Sequence, residues 1–127
     1  MSFETKLGDE FLKVPKLAAE GTNWVTYKDR LLWSVEARGL GGHLDGSETE
    51  PEDPKSLTGR GESWAPTTSA EKKEVEVWKA EMKTWQMGKA IIKQQIAGTL
   101  PNTLFTQIKR LKSAYEIFRH LAKLFEQ

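Results

Sequence analysis

The chain has 127 residues with 19 Lys and Arg, 18 Asp and Glu, two His and no Cys, for a formal net charge of +1. Disulfides and thiolate metal sites are therefore excluded, and no apolar run approaches the roughly 20 residues of a membrane span. The start lacks a signal-type hydrophobic stretch, since Leu7 to Val14 contains Asp9, Glu10 and Lys13, so the expectation is one domain in a reducing, cytoplasmic setting.

The near-neutral total hides an uneven distribution. Residues 45–66 carry Asp45, Glu48, Glu50, Glu52, Asp53 and Glu62 against Lys55 and Arg60, a net of −4. Residues 79–127 carry nine basic groups against Glu81, Glu116 and Glu126, a net of +6. A basic C-terminal part is a mild pointer to a polyanionic neighbour, set against the plainer reading of a solvated helical surface.

Residues 1–22 are expected to form an extended N-terminal segment, because Pro15 disfavours helix at Val14. A helix should begin near Thr22 or Asn23, both good N-cap residues, and stop at Gly39, which suits a left-handed C′ position. Its apolar stripe is Trp24, Tyr27, Leu31 and Val35, a core face by spacing. Trp33 lies about 180° from Trp24 at about 100° per residue, beside Thr26 and Ala37. Two environments suit it: a lid formed by Leu7 to Leu17 or by the Trp64 region, or a contact with another subunit.

The stretch "GLGGHLDG" at 39–46 lacks the Lys-Ser/Thr and the preceding strand of a phosphate-binding loop, so it reads as turn chemistry. His43 has no second His or Cys nearby to make a metal site. Residues 45–66, rich in Pro, Gly, Ser and acid, are expected to form a long mobile loop with little to bury. Trp64 near its end could anchor it.

Thr68-Ser69-Ala70-Glu71 is a capping box opening a helix over 70–98. Its apolar positions, Val75, Trp78, Met82, Trp85, Ile92 and Ile96, follow a 3-4 spacing with Lys89 in the missing step. Fully helical, it would extend roughly 43 Å at about 1.5 Å per residue, against a diameter of about 36 Å for a domain of this size. It should project or bend, with Gly88 the natural place. The seam would also suit a coiled coil, interrupted at Lys89. After Pro101 come a short stripe, Leu104, Ile108 and Leu111, and a second capping box, Ser113 to Glu116, which opens the stripe Ala114, Ile117, Phe118, Leu121, Leu124 and Phe125.

No segment alternates with period two. The expected fold is all-α: an irregular or orthogonal bundle of four to five helices over 23–127 with one long acidic loop. The expected core is Trp24, Tyr27, Leu31, Val35, Trp78, Met82, Trp85, Ile92, Phe118 and Leu121. No nucleophile elbow, metal-ligand pair or phosphate loop is visible, so neither enzymatic activity, a cofactor nor a small-molecule substrate is expected. The aromatic residues could stack on bases, but most sit at core spacing.

These residues resemble the Gag proteins of copia-type LTR retrotransposons. The family's first helix has the pattern Asn-aromatic-x-x-Trp-Lys-x-Arg-Met, then a Leu four residues on, then Gly-Leu or Asp-Leu. The matches are Asn23, Trp24, Tyr27, Lys28, Arg30, Leu31, Val35, Gly39 and Leu40. The family's later Trp, Ala, Ile-rich helix and Thr-Ala-x-Glu-x-Trp-x-x-Leu-x-x-x-Tyr run correspond to Trp85, Ala90, Ile92, Ile96, Ser113, Ala114, Glu116, Phe118, Leu121 and Phe125. Tyr27 and Phe118 stand where the family has Trp, and the acidic loop is longer. The resemblance spans roughly residues 14–127 and implies an N-terminal capsid lobe, without the second lobe and zinc knuckle that would follow in a complete protein of this kind. It implies a structural role: self-assembly into a shell around RNA, in an element or in a host gene derived from one. An adaptor for a protein partner and a nucleic-acid-binding module are the alternatives. Trp33 and Ala37 are the candidate self-assembly residues, and Lys109, Arg110 and Lys112 the candidate RNA-facing patch.

Overall fold

The computed structural model describes residues 14–57 and 59–126. Among them are five α-helices: α1 (Trp24–Ala37), α2 (Gly41–Asp45), α3 (Ser69–Gly98), α4 (Asn102–Ile108) and α5 (Ala114–Phe125), with a short 3-10 turn at Pro54–Ser56. No strand occurs among the described residues, so the protein is all-α. The expected extended segment 1–22 is described only from Val14; the rest lies outside the described residues. Within the helical region the chain packs as two compact units. One contains the described residues up to Glu48 and from Lys89 onward, the other Thr49–Gly88. The boundary falls inside α3, immediately after Gly88, and the helix is unbroken there.

The first unit is organised by α1. Its stripe, Trp24, Tyr27, Leu31 and Val35, is between 0% and 2% exposed. Around it pack Leu17, Leu44 of α2, Ile92 and Ile96 of α3, Leu100, Leu104 and Ile108 of α4, and Ala114, Ile117 and Leu121 of α5. Burying each large aliphatic or aromatic side chain contributes roughly 1.5–3 kcal/mol. Trp24 lies with its ring centroid 6.0 Å from Tyr27 and 5.8 Å from both Phe118 and Phe125, all tilted. Phe118 is half-buried at the edge of the cluster, so its expected place in the core holds only in part. At the N-terminal end of α1 the indole N–H of Trp24 donates to Glu126 at 2.8 Å, and Lys28 reaches the same carboxylate oxygen at 3.3 Å. The indole bond, then the lysine, hold the Glu126 carboxyl below its ordinary value.

Asn23 occupies the N-cap position of α1 but makes no capping bond. Its Oδ1 accepts from the Ala18 N–H at 2.8 Å, and its Nδ2 donates to the Lys16 carbonyl at 2.9 Å. The residue chosen from sequence as a cap is instead a clasp on the preceding segment. Gly21 makes that turn possible: its φ is +75°, and a Cβ there would collide with the Phe125 ring. The other end of α1 is as expected. Gly39, at φ +72°, donates to the Glu36 carbonyl at 2.9 Å, and Leu40 donates to Val35 at 3.1 Å, a Schellman closure. The stretch read as turn chemistry then contains α2, with His43 and Leu44 buried. It is a single helical turn that carries a core leucine, which glycine-rich composition conceals.

Thr99 joins three parts of this unit. Its carbonyl accepts from Leu17 N–H at 2.8 Å, and its hydroxyl lies 2.7 Å from the Tyr27 hydroxyl. The Thr99 hydroxyl also lies 2.8 Å and 3.1 Å from the carbonyls of Ile96 and Gln95. A carbonyl can only accept, so Thr99 donates its single proton to the helix and Tyr27 donates to Thr99. Burial pushes the Tyr27 phenol up to about 12.

In the second unit α3 begins as expected. Glu71 N–H donates to Thr68 Oγ1 at 3.1 Å, while Glu71 Oε1 accepts from the Thr68 and Thr67 N–H groups at 3.1 and 3.0 Å. These bonds hold the Glu71 carboxyl down from 4.5 to about 2. The stabilisation they give is present above pH 4.5 and lost as pH falls toward 2. Trp78, Met82 and Trp85, expected in the core, are only half-buried and stand outside the buried cluster. Their spacing defines a face, but within this unit that face has a loop to pack on and no second α-helix. The second capping box, at α5, is looser than expected. Ser113 Oγ accepts from Glu116 N–H at 3.2 Å, but the Glu116 carboxylate reaches past Ser113 to the Lys112 N–H at 3.2 Å.

Two outcomes follow from these contacts. Asn23→Ala should lower stability by about 1–2 kcal/mol, and Asn23→Ser should not rescue it, although serine is a good cap, because it cannot span Ala18 and Lys16; chemical denaturation measures both. For Tyr27, whose pKa rises from 10.0 to about 12 on folding, about 2–3 kcal/mol of stability is present below pH 10 and lost as pH rises toward 12. Denaturation at pH 9 and at pH 12 should show Tyr27→Phe losing less stability over this range than the native chain.

Candidate functional site

The outer face of α1 carries two large apolar side chains among polar ones. Trp33 is 73% exposed and Val25 66% exposed. Asp29, Arg30 and Ala37 are exposed beside them. Residues 25, 29, 33 and 37 recur every four positions, so they form one slowly drifting ridge. An indole held in water exposes a large apolar area with no compensating contact. Of the N-terminal lid weighed for Trp33 only Val14 to Leu17 is described, and there Leu17 is 2% exposed and belongs to the core. Trp64 instead lies with the Arg60 guanidinium 4.2 Å from its ring centroid.

Lys109, Arg110 and Lys112 are all exposed in the turn between α4 and α5. Lys109 is the C-cap of α4, where a cation is favourable against the helix dipole. The sequence reading thus places these three together. It missed the adjacent concavity of about 520 Å3, whose lining includes Leu111, Glu116, Arg119, His120, Lys123 and Glu126. Both carboxylates there are engaged: Glu116 by the Lys112 N–H and Glu126 by Trp24 and Lys28. Arg119 donates to the Tyr115 hydroxyl at 2.7 Å, and His120 Nε2 is 3.5 Å from Gln107 Oε1. The only signal in the sequence was the i, i+4 pair Arg119 and Lys123.

The acidic loop is not featureless. Pro54 is buried. Arg60 makes a two-point pair with Glu74, Nη1 to Oε1 and Nη2 to Oε2, both 3.2 Å, and donates to the Pro54 carbonyl at 2.8 Å. Trp78 Nε1 donates to the Pro51 carbonyl at 3.4 Å. Between loop and helix, all within the second unit, is a groove of about 220 Å3 lined by Glu52, Pro54, Leu57, Glu74, Val77, Trp78 and Glu81. Its lining combines the apolar Pro54, Leu57, Val77 and Trp78 with the carboxylates of Glu52, Glu74 and Glu81. Composition alone hid it, because the loop's acids argue for solvation and its contacts come from Pro51, Pro54 and Arg60.

Among the described residues no group of three or more His, Cys, Asp or Glu could hold a metal ion, and no helix is long and apolar enough to cross a membrane. Compared with protein-family models, with curated proteins and with solved structures, the chain matches none of them.

The contrast between the two faces of α1 is measurable in the monomer. Trp33→Ala should leave the unfolding free energy within about 0.5 kcal/mol of native, whereas Trp24→Ala should cost about 3–5 kcal/mol. Urea denaturation of dilute protein reads both. An equal loss in the two variants would mean that Trp33 is covered in solution.

Proposed function

We propose that the chain is a structural, capsid-type domain of the Gag class found in copia-type LTR retrotransposons, or in a host gene derived from one. It acts by repeated protein–protein contacts that build a shell around RNA, in the cytoplasm, and carries no catalytic step. The observation that supports this best is Trp33, 73% exposed on the face of α1 opposite its buried stripe. The residues that carry the resemblance also have clear physical roles. Trp24, Tyr27, Leu31 and Val35 form the core stripe, Asn23 clasps the lead-in, and Gly39 closes the helix. In this reading Trp33 anchors a subunit contact, and exposed Ala37 one turn away lets a partner helix approach closely. Buried tryptophans are enriched among the residues that dominate interfaces.

A second reading, a nucleic-acid-binding module, draws on Lys109, Arg110 and Lys112, exposed beside Arg119 and Lys123. Such a module would hold RNA with an affinity that falls steeply with salt.

The test is self-association as a function of concentration. The native chain should be monomeric when dilute and form larger species when concentrated, followed by sedimentation velocity. Trp33→Ala should weaken that association by about 2 kcal/mol or more, at least about tenfold, without altering the monomer's melting. A chain that stays monomeric at millimolar concentration, yet binds single-stranded RNA in a salt-sensitive way, would support the second reading instead.

A further inference from the structure

We propose that the acidic groove of one copy receives the basic α4–α5 turn of a second copy, so that subunits join head to tail. This rests on the self-assembling reading above and names a contact distinct from the Trp33 face. The groove presents Glu52 and Glu81 beside Leu57, Val77 and Trp78. The turn presents Lys109, Arg110 and Lys112, all exposed.

Charge complementarity is the first argument. The groove is lined by the carboxylates of Glu52, Glu74 and Glu81 and by no basic residue, while residues 109–112 carry Lys109, Arg110 and Lys112 and no acid. Opposite patches on identical copies attract one another and steer encounter. Glu52 and Glu81 are available for such a pair. Glu52 uses one carboxylate oxygen to accept from Ser56 Oγ at 3.2 Å, and Glu81 has no hydrogen-bond or ionic partner among the described residues. The side-chain cations of Lys109, Arg110 and Lys112 likewise have none among the described residues.

The groove's own wall supplies the second argument. Glu74 of that wall already meets a guanidinium, since Arg60 pairs with it at two points from beside the groove. A volume of about 220 Å3 suits one or two such side chains, not a helix. Lysine and arginine stems can cover Leu57, Val77 and Trp78 while their heads meet Glu52 and Glu81. Trp78 is held for this by its bond to the Pro51 carbonyl. RNA would be repelled by the same carboxylates.

The two surfaces differ, so the contact is heterologous. It propagates from copy to copy and closes into a ring only if the rotation between copies allows it.

The experiment uses two charge-reversed forms of the full chain: Glu52→Lys with Glu81→Lys, and Lys109→Glu with Arg110→Glu and Lys112→Glu. All five positions are exposed, so both forms should retain the native circular dichroism and melting. In sedimentation velocity at low salt each form alone should associate about tenfold more weakly than native, and an equimolar mixture should regain association, because each supplies the surface the other has lost. Association of each form alone at native strength would overturn the head-to-tail contact and leave the self-assembling reading standing. A native chain that never associates would overturn both. Loss of retention of a poly-U probe by the basic-turn variant, with its self-association at native strength, would make that turn a nucleic-acid surface and also overturn the proposal.

Discussion

Thr99 holds the first unit to a single arrangement. It sits just past the end of α3, where a helix leaves carbonyls without intrahelical partners. Its hydroxyl turns back to that helix, accepts from Tyr27 of α1, and its carbonyl accepts from Leu17 in the lead-in. The apolar packing around it is non-directional and would tolerate small slides of one helix along another. A buried hydroxyl pair is not tolerant, because leaving either group unsatisfied costs about 1–3 kcal/mol. The pair therefore sets the register of α1 against α3, and the depth of Tyr27 in the core follows from it.

The apolar stripe seated in that register decides which side of α1 faces water. With Trp24, Tyr27, Leu31 and Val35 inward, Val25 and Trp33 have no place but the outside. The exposure of Trp33 is a consequence of a satisfied core, not a defect of it. At the N-terminal end the same constraint brings Trp24 to Glu126, so the last described residue of the chain is tied to the first helix. Asn23 and Gly21 turn the chain back at that corner.

The second unit is built on different terms. The early part of α3 has no α-helical partner within it, and its stripe is met at Trp78 by Pro51 and Pro54 of the acidic loop. Half-burial of Trp78, Met82 and Trp85 follows from the thinness of that cover. Directional contacts carry more of the organisation there: the capping box at Thr68 and Glu71, and the Arg60 pair with Glu74. The apolar side chains left partly open at Leu57 and Val77 are what make the acidic surface a groove.

Much was legible in the sequence by itself. The class of fold, the stripe of α1, the Schellman glycine, the capping box of α3 and the opposite facing of Trp24 and Trp33 all follow from local periodicity and from the backbone needs of helix ends. Those are properties of neighbours in the chain, and a sequence displays its neighbours. Only the tertiary structure decided that Asn23 clasps the lead-in instead of capping, that α2 forms among glycines, that Thr99 is a junction, and that the acidic loop shapes a groove. Each depends on groups far apart in sequence meeting at hydrogen-bond distance or in a shared apolar contact. Periodicity gives a helix its faces, but the amount of surface brought against a face, and so the burial of Trp78 compared with Ile92, is a property of the assembled chain alone.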